Sequence, residues 1–155
     1  MRHLGLVLAA MTVIGCGKKE PEPVAEPPAA PVAPPAPAPF DMAAAAGTWD
    51  MKTMAADNDS VLVSYTMVAT ADTAGWSLNF PKRKPVPLSI TVSGDSVMST
   101  SGEYESSIYK GVKVFTNATF RMVNGEMVGN VVAHYKRTGP DSVRMLRAKG
   151  TKQQK

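Results

Sequence analysis

The chain has 155 residues, a formal net charge of +4, 13 prolines and one cysteine. A single cysteine excludes an internal disulfide framework, and two histidines leave little material for a histidine-based catalytic or metal site. Composition changes sharply along the chain and divides it into three segments, residues 1–15, 16–40 and 41–155.

The first segment, residues 1–15, has the pattern of an export signal. Arg2 and His3 precede an apolar run over residues 4–14. This run is too short to cross a bilayer as a helix, because a transmembrane helix needs about 20 apolar residues. The segment is therefore predicted to be a signal peptide that is removed on export.

The only cysteine follows this run in the stretch VIGCGK, residues 13–18. The stretch resembles the lipobox of bacterial lipoproteins, with Val13 where leucine is commoner. The resemblance implies that the Cys16 thiol receives diacylglycerol and that the new amino terminus is N-acylated, with no other cofactor. Several acyl chains hold a protein firmly, since one chain binds only marginally. Gly17, where aspartate would retain the protein at the inner membrane, implies the outer membrane and the periplasm. An ordinary signal peptide with an incidental cysteine is the alternative.

The second segment, residues 16–40, is the lipidated cysteine and a linker rich in proline and alanine. Nine of the 13 prolines fall between Pro21 and Pro39. Proline fixes φ and removes a backbone donor, so the segment favours extended polyproline II. It is predicted to be a disordered, semi-rigid spacer, and a proline-rich recognition motif is the alternative.

The third segment, residues 41–155, is long enough for one domain and shows the two-residue period of β-strands. Apolar and polar residues alternate in GWSLNF, PLSITVS, VKVFTNATFRMV and EMVGNVVAHYK. Turn sequences separate these runs. Asn124-Gly125 is the strongest, because a type I′ hairpin turn needs positive φ at both central residues. About eight strands with short connections predict an all-β fold, a single antiparallel up-and-down barrel whose closure removes the edges.

The first strand opens with Gly-Thr-Trp at residues 47–49. This Gly-x-Trp resembles the start of the first strand in lipocalins and related calycins. The resemblance implies a lipocalin-like barrel that the tryptophan closes at one end, with a basic residue of the last strand packed over the indole. Arg147 and Lys149 are the candidates, because they share strand parity with Val143 and Met145.

The same resemblance implies a small apolar or amphipathic ligand inside the barrel. Strand parity and the resemblance select as candidate ligand-binding residues Trp49, Met51, Tyr65, Trp76, Phe80, Ile90, Phe120, Met122 and Tyr135. The alternative is a barrel filled by side chains that acts through its outer surface as a tethered structural or accessory scaffold. An eight-stranded barrel is wide enough for either arrangement.

Catalysis, metal binding and nucleic-acid binding are not expected. His134 falls on the polar face of its strand, and the sequence has no nucleophile–histidine–acid set, metal-ligand cluster or glycine-rich phosphate loop. Methionines on apolar strand faces are more often packing residues than ligands of Cu(I). Lys82, Arg83 and Lys84 are expected at a solvated hairpin tip. Their candidate partners are an envelope protein, an anionic polymer or lipid headgroups.

Overall fold

The structure, a computed structural model, describes residues 38–154. The predictions for the signal peptide, for Cys16 and for the linker before residue 38 lie outside these residues. A short helix, α1 (Met42–Ala45), precedes the first strand. The strands are β1 (Gly47–Ala55), β2 (Val61–Ala69), β3 (Ser77–Asn79), β4 (Val86–Ser93), β5 (Ser96–Ser101), β6 (Tyr104–Glu105), β7 (Lys113–Val123), β8 (Glu126–Tyr135) and β9 (Val143–Lys152).

The strands form one closed antiparallel barrel. Neighbours in sequence pair from β1 to β5 and from β7 to β9, while β5 pairs with β7 and β9 pairs with β1. These last two pairings close the sheet into a ring of eight strands, to which β6 adds two residues beside the start of β7. The predicted up-and-down barrel is therefore confirmed. Asn124 and Gly125 join β7 to β8 with φ of 52° and 79°, the two positive values that a type I′ turn requires.

The connections gather at two ends of the barrel. One end, called the lid end, carries residues 56–60, 80–85, 102–112 and 136–142. The other, called the helix end, carries residues 38–46, 70–76, 94–95 and 124–125. Residues 102–112, which include β6, are called the lid.

Trp49 and α1 close the helix end. The Trp49 side chain is fully buried, and its indole N–H donates to the Ala45 carbonyl at 2.8 Å, which ties the helix to β1. Phe40 is buried in the same apolar core, and its backbone N–H donates to the Gly94 carbonyl at 2.9 Å. The sequence places Phe40 at the end of the linker, whereas the structure makes it part of the barrel core because its ring packs there.

Lys152, at the end of β9, lies over the Trp49 indole. Its Nζ is 5.7 Å from the ring centre and donates to the Ala44 carbonyl at 2.9 Å. A β-carbon at Gly47, where φ is +141°, would lie 2.7 Å from the Lys152 side chain. The glycine of the Gly-x-Trp opening therefore leaves room for the cation that covers the tryptophan.

The structure corrects the sequence-based choice of Arg147 or Lys149 for this cation. The inward-facing residues of β9 are the alternate set to the one predicted, so these two side chains lie on the outer face. Its apolar residues occur on both faces, so alternation alone cannot orient it. Gly150 pairs with Met51 and faces inward, where a β-carbon would collide with the Met51 thioether. Met145, on the other face, is 71% exposed. Gly150 thus makes room for the Met51 side chain inside the barrel, and Arg147 and Lys149 lie on the outer face of β9.

Candidate ligand site at the lid end of the barrel

The helix-end half of the barrel is filled by large side chains. The largest fully buried ones are Trp49, Trp76, Met51, Met67, Met127 and Val97. Trp76 also satisfies its indole N–H, which donates to the Asp72 carbonyl at 2.9 Å. This half of the interior is therefore occupied by packed side chains.

A cavity of about 50 Å³ lies in the lid-end half. Its apolar lining includes Val63, Leu78, Phe80, Leu88, Ile108, Val114, Phe120, Val131 and Leu146. Its hydroxyl-bearing lining consists of Thr53, Tyr65, Ser99, Tyr104, Ser106, Ser107, Thr116 and Tyr135. None of the lining residues carries a formal charge. Ligand sites for small molecules usually span about 300–1,000 Å³, so a cavity of this volume has room only for ordered water or a molecule of very few atoms.

The hydroxyl groups around the cavity are partly paired with one another. The Thr53 hydroxyl lies 3.4 Å from the Tyr65 phenol oxygen. Thr116 pairs with Ser101, a buried residue outside the lining, whose Oγ accepts from the Thr116 backbone N–H at 2.8 Å and lies 3.1 Å from the Thr116 hydroxyl. A hydroxyl group both donates and accepts, so these residues keep capacity for a further polar atom in the cavity.

Three phenols around the cavity are held in their neutral form. Burial raises the pKa of Tyr104 to about 12, an effect that a hydrogen bond with Thr116 partly offsets. Burial likewise raises the pKa of Tyr135 to about 12 and raises the pKa of Tyr65 above its ordinary value. The protonated phenols are therefore the stable form over the whole physiological range and retain an O–H that can donate to a ligand.

Stability is expected to fall in alkali because of these phenols. The folded-state pKa of these phenols lies above the unfolded value of about 10. The stability that the neutral phenols contribute is therefore fully present below pH ~10 and is lost as the pH rises toward 12. We expect the urea midpoint to fall over this window in the wild type, and to fall less in the Tyr104→Phe/Tyr135→Phe variant. An equal pH dependence in the two proteins would show that these phenols do not control alkaline unfolding.

The lid is an ordered turn. Ser106 is buried, and its Oγ accepts from the backbone N–H groups of Ile108 and Tyr109 at 3.0 and 2.9 Å. Its own N–H donates to the Val112 carbonyl at 2.8 Å. The lid joins the sheet through the two residues of β6, so most of its attachment comes from side chains.

Aromatic pairs connect the lid with the barrel wall. Tyr104 stacks on Phe80 with ring centres 5.3 Å apart, and Phe80 in turn contacts Tyr65 at 5.2 Å. Tyr109 meets Tyr135 edge to face at 4.9 Å. These contacts cover the cavity with aromatic rings.

The structure divides the residues predicted for ligand binding into two groups. Those that line the cavity are Tyr65, Phe80, Phe120 and Tyr135. Those that lie elsewhere in the core or against it are Trp49, Met51, Trp76, Ile90 and Met122. Strand parity identifies inward-facing residues but does not show which of them border the cavity.

Several lining residues were missed in the sequence. Thr53, Ser99 and Thr116 share parity with buried apolar neighbours, and this signal could have revealed their inward hydroxyls. Tyr104 and Ile108 belong to the lid, where no period marks them. Their place at the cavity depends on contacts with distant strands.

The basic residues singled out in the sequence lie outside the cavity. Arg147 pairs with Asp59 at 2.5 Å, and Lys149 pairs with Glu126 at 2.9 Å. Lys82, Arg83 and Lys84 are all exposed in the β3–β4 connection, and Arg83 also reaches across to the lid.

His134 is on the outer face of β8, as alternation predicts. Its ring stacks on Phe115 with centres 4.5 Å apart. Within residues 38–154, no group of three or more histidine, cysteine, aspartate or glutamate side chains is placed to hold a metal ion.

Comparisons with protein families, curated proteins and solved structures give no match for this chain. The closed barrel of eight strands is compatible with a calycin-like domain. In the part of the chain that the structure describes, no helix is long and apolar enough to cross a membrane.

Proposed function

We propose that this chain is a lipid-anchored envelope protein whose lipocalin-like barrel binds a small amphipathic molecule at its lid end. The observation that carries the proposal is the uncharged cavity under the lid, which combines aromatic rings with hydroxyl groups. A mainly apolar wall with a few convergent polar groups is the usual character of a small-molecule site. The proposal includes no catalytic step.

The cavity volume sets a condition on this function. A cavity of about 50 Å³ is well below the lower limit of about 300 Å³ for usual ligand sites. A ligand of ordinary size therefore enters by displacing the lid. The lid suits this movement because β6 contributes two residues to the sheet, and segments with few backbone pairings open at low free-energy cost.

The location belongs to the same proposal and rests on the sequence. The short apolar run and the lipobox-like stretch support acylation of Cys16 after signal cleavage. Gly17 after the cysteine favours the outer membrane, with the barrel in the periplasm and the proline-rich residues as its spacer.

A second candidate function is a scaffold whose barrel is filled by side chains and acts through its outer surface. The small cavity favours it. So do two neighbouring apolar side chains on the outer face of β9, Val143 at 49% and Met145 at 71% exposed. Exposed apolar side chains that lie together are typical of contact surfaces.

Ligand titration followed by NMR separates the two functions. Tryptophan emission is a poor reporter because Trp49 and Trp76 lie outside the cavity lining. We expect small amphiphiles to shift the resonances of Ile108 and Val131 saturably. Ala133→Leu, which adds bulk at the cavity wall, should weaken binding about tenfold or more, since overpacking costs about 1–3 kcal/mol.

The control is Val132→Leu, the adjacent residue, whose side chain lies on the opposite face of β8. It should leave binding unchanged. Thermal unfolding of both variants checks that each is folded. Saturation with the same affinity in the Ala133→Leu variant, or no saturable shift in the wild type with any amphiphile, would favour the scaffold.

A further inference from the structure

Charge is distributed unevenly between the two ends of the barrel. For this comparison, each end of the barrel consists of its connections together with the two strand residues that adjoin each connection, within residues 38–154. By this measure the helix end has one basic and four acidic residues, and the lid end has eight basic and five acidic ones. The lid-end basic residues are Lys82, Arg83, Lys84, Lys110, Lys113, Lys136, Arg137 and Arg144. The lid-end acidic residues are Asp57, Asp59, Glu103, Glu105 and Asp141. An anion therefore meets a favourable potential at the lid end.

Arg83 holds one side of the lid through neutral groups. Its Nη1 donates to the Glu105 backbone carbonyl at 2.6 Å and to Ser107 Oγ at 3.3 Å. Its guanidinium carbon lies 5.9 Å from the centre of the Phe80 ring. Glu105 thus offers this arginine its carbonyl oxygen, not its carboxylate.

Arg137 and Arg144 hold the other side of the lid at Tyr109. The guanidinium carbon of Arg137 lies 4.4 Å from the centre of the Tyr109 ring. Arg144 Nη1 lies 3.5 Å from the Tyr109 phenol oxygen. The same tyrosine packs against Tyr135 of the cavity wall, so these contacts hold the lid against the cavity.

The three arginines leave their charge uncompensated by direct ion pairs. Among the described residues, the ion pairs formed by lid-end acidic residues join Lys136 to Glu103 and Arg147 to Asp59, and none involves Arg83, Arg137 or Arg144. A carboxylate or phosphate forms shorter and stronger hydrogen bonds with a guanidinium group than a carbonyl or hydroxyl does. An anionic group at the lid would therefore displace the neutral partners.

We propose that Arg83, Arg137 and Arg144 latch the lid and receive the anionic headgroup of a single-chain amphiphile, which opens the lid and lets the chain enter the cavity. The inference rests on the proposed function and specifies its ligand class. The headgroup is a carboxylate or a phosphate, because these pair with guanidinium groups. The tail is apolar, because most of the residues in the cavity wall are apolar.

Calorimetric titration of the mature protein with octanoate, octyl phosphate, octanol and octyltrimethylammonium tests the ligand class. We expect either anion to bind about tenfold or more tightly than octanol, the difference that charge-assisted hydrogen bonds provide. The preference should fall at high salt, which screens exposed charges. Octyltrimethylammonium should bind most weakly. Tighter binding of only one anion would identify the headgroup.

The Arg83→Gln/Arg137→Gln/Arg144→Gln variant, which removes all three guanidinium groups, tests the latch. Its preference for octanoate over octanol should fall to about one, because the charge-assisted bonds are gone. Its affinity for octanol should be unchanged or higher. Amide exchange at Ile108 and Tyr109, which donate to Ser106, should be faster than in the wild type. Arg121→Gln, at an exposed arginine on β7, is the matched control and should change neither property.

The outcomes distinguish this inference from the proposed function. Equal binding of octanoate, octyl phosphate and octanol by the wild type overturns the inference and leaves the proposed function standing. No binding of any amphiphile overturns both. A preference for anions that survives in Arg83→Gln/Arg137→Gln/Arg144→Gln overturns the assignment to these arginines.

Discussion

Replacing Trp49 with alanine is expected to lower the free energy of unfolding by about 3–5 kcal/mol, the usual cost of removing a large buried aromatic side chain. Trp49 is fully buried, and its N–H bonds to the Ala45 carbonyl at 2.8 Å. Lys152 covers the ring from outside. The substitution therefore leaves a cavity at the helix end and also releases α1 from β1.

Urea unfolding of the chain without its signal peptide measures this effect, with the emission of Trp76 as the probe. Trp49→Phe keeps an aromatic ring and removes the N–H donor, so we expect a loss smaller than in Trp49→Ala. Met145→Ala is the control, because Met145 is 71% exposed and its truncation should change stability by at most about 0.5 kcal/mol. A loss below about 1 kcal/mol in Trp49→Ala would contradict the role of the indole as the closure of the barrel.

Replacing Cys16 with serine is expected to move the protein from the membrane fraction to the soluble part of the envelope. The proposal places every acyl chain on Cys16, as diacylglycerol on its thiol and an acyl group on its new amino terminus, and one chain alone provides only marginal binding. A hydroxyl group at this position cannot form the thioether. The change in membrane-bound fraction should therefore be nearly complete.

Cell fractionation, followed by mass spectrometry of the mature amino terminus, checks this expectation. The wild type should carry an acylated cysteine and resist extraction by salt. Gly17→Ser alters the adjacent residue and keeps the thiol, so it should remain with the membranes. An unmodified wild-type thiol, or a Cys16→Ser protein that stays membrane-bound, would refute lipidation as the anchor.

The strands that could be predicted are those whose two faces have different chemistry. Trp76, Leu78 and Phe80 are buried and alternate with polar residues, so periodicity alone orients that part of the wall. Strand β8 is similar, with Met127 and Tyr135 inside. In these segments the contrast between a wet face and a dry face is local information, which a single sequence contains.

Strand β9 could not be oriented in this way. Val143 and Met145 lie outside, while Leu146 and Ala148 lie inside, so both faces carry apolar residues. Pairing with β1 and β8 selects the inward face, because Gly150 is the residue that fits against Met51. The steric demand of neighbouring strands outweighs the apolar character of the exposed residues.

The sequence by itself determines the antiparallel strands and the Asn124-Gly125 turn, because strand alternation and positive φ are properties of neighbouring residues, and the number and order of the strands predict the barrel. Only the tertiary structure decides that Lys152 covers Trp49, that the cavity lies at the lid end, and that Arg83 reaches the lid. Each of these depends on residues that are far apart in the chain, and their meeting is set by strand register and packing volume, which no local pattern contains.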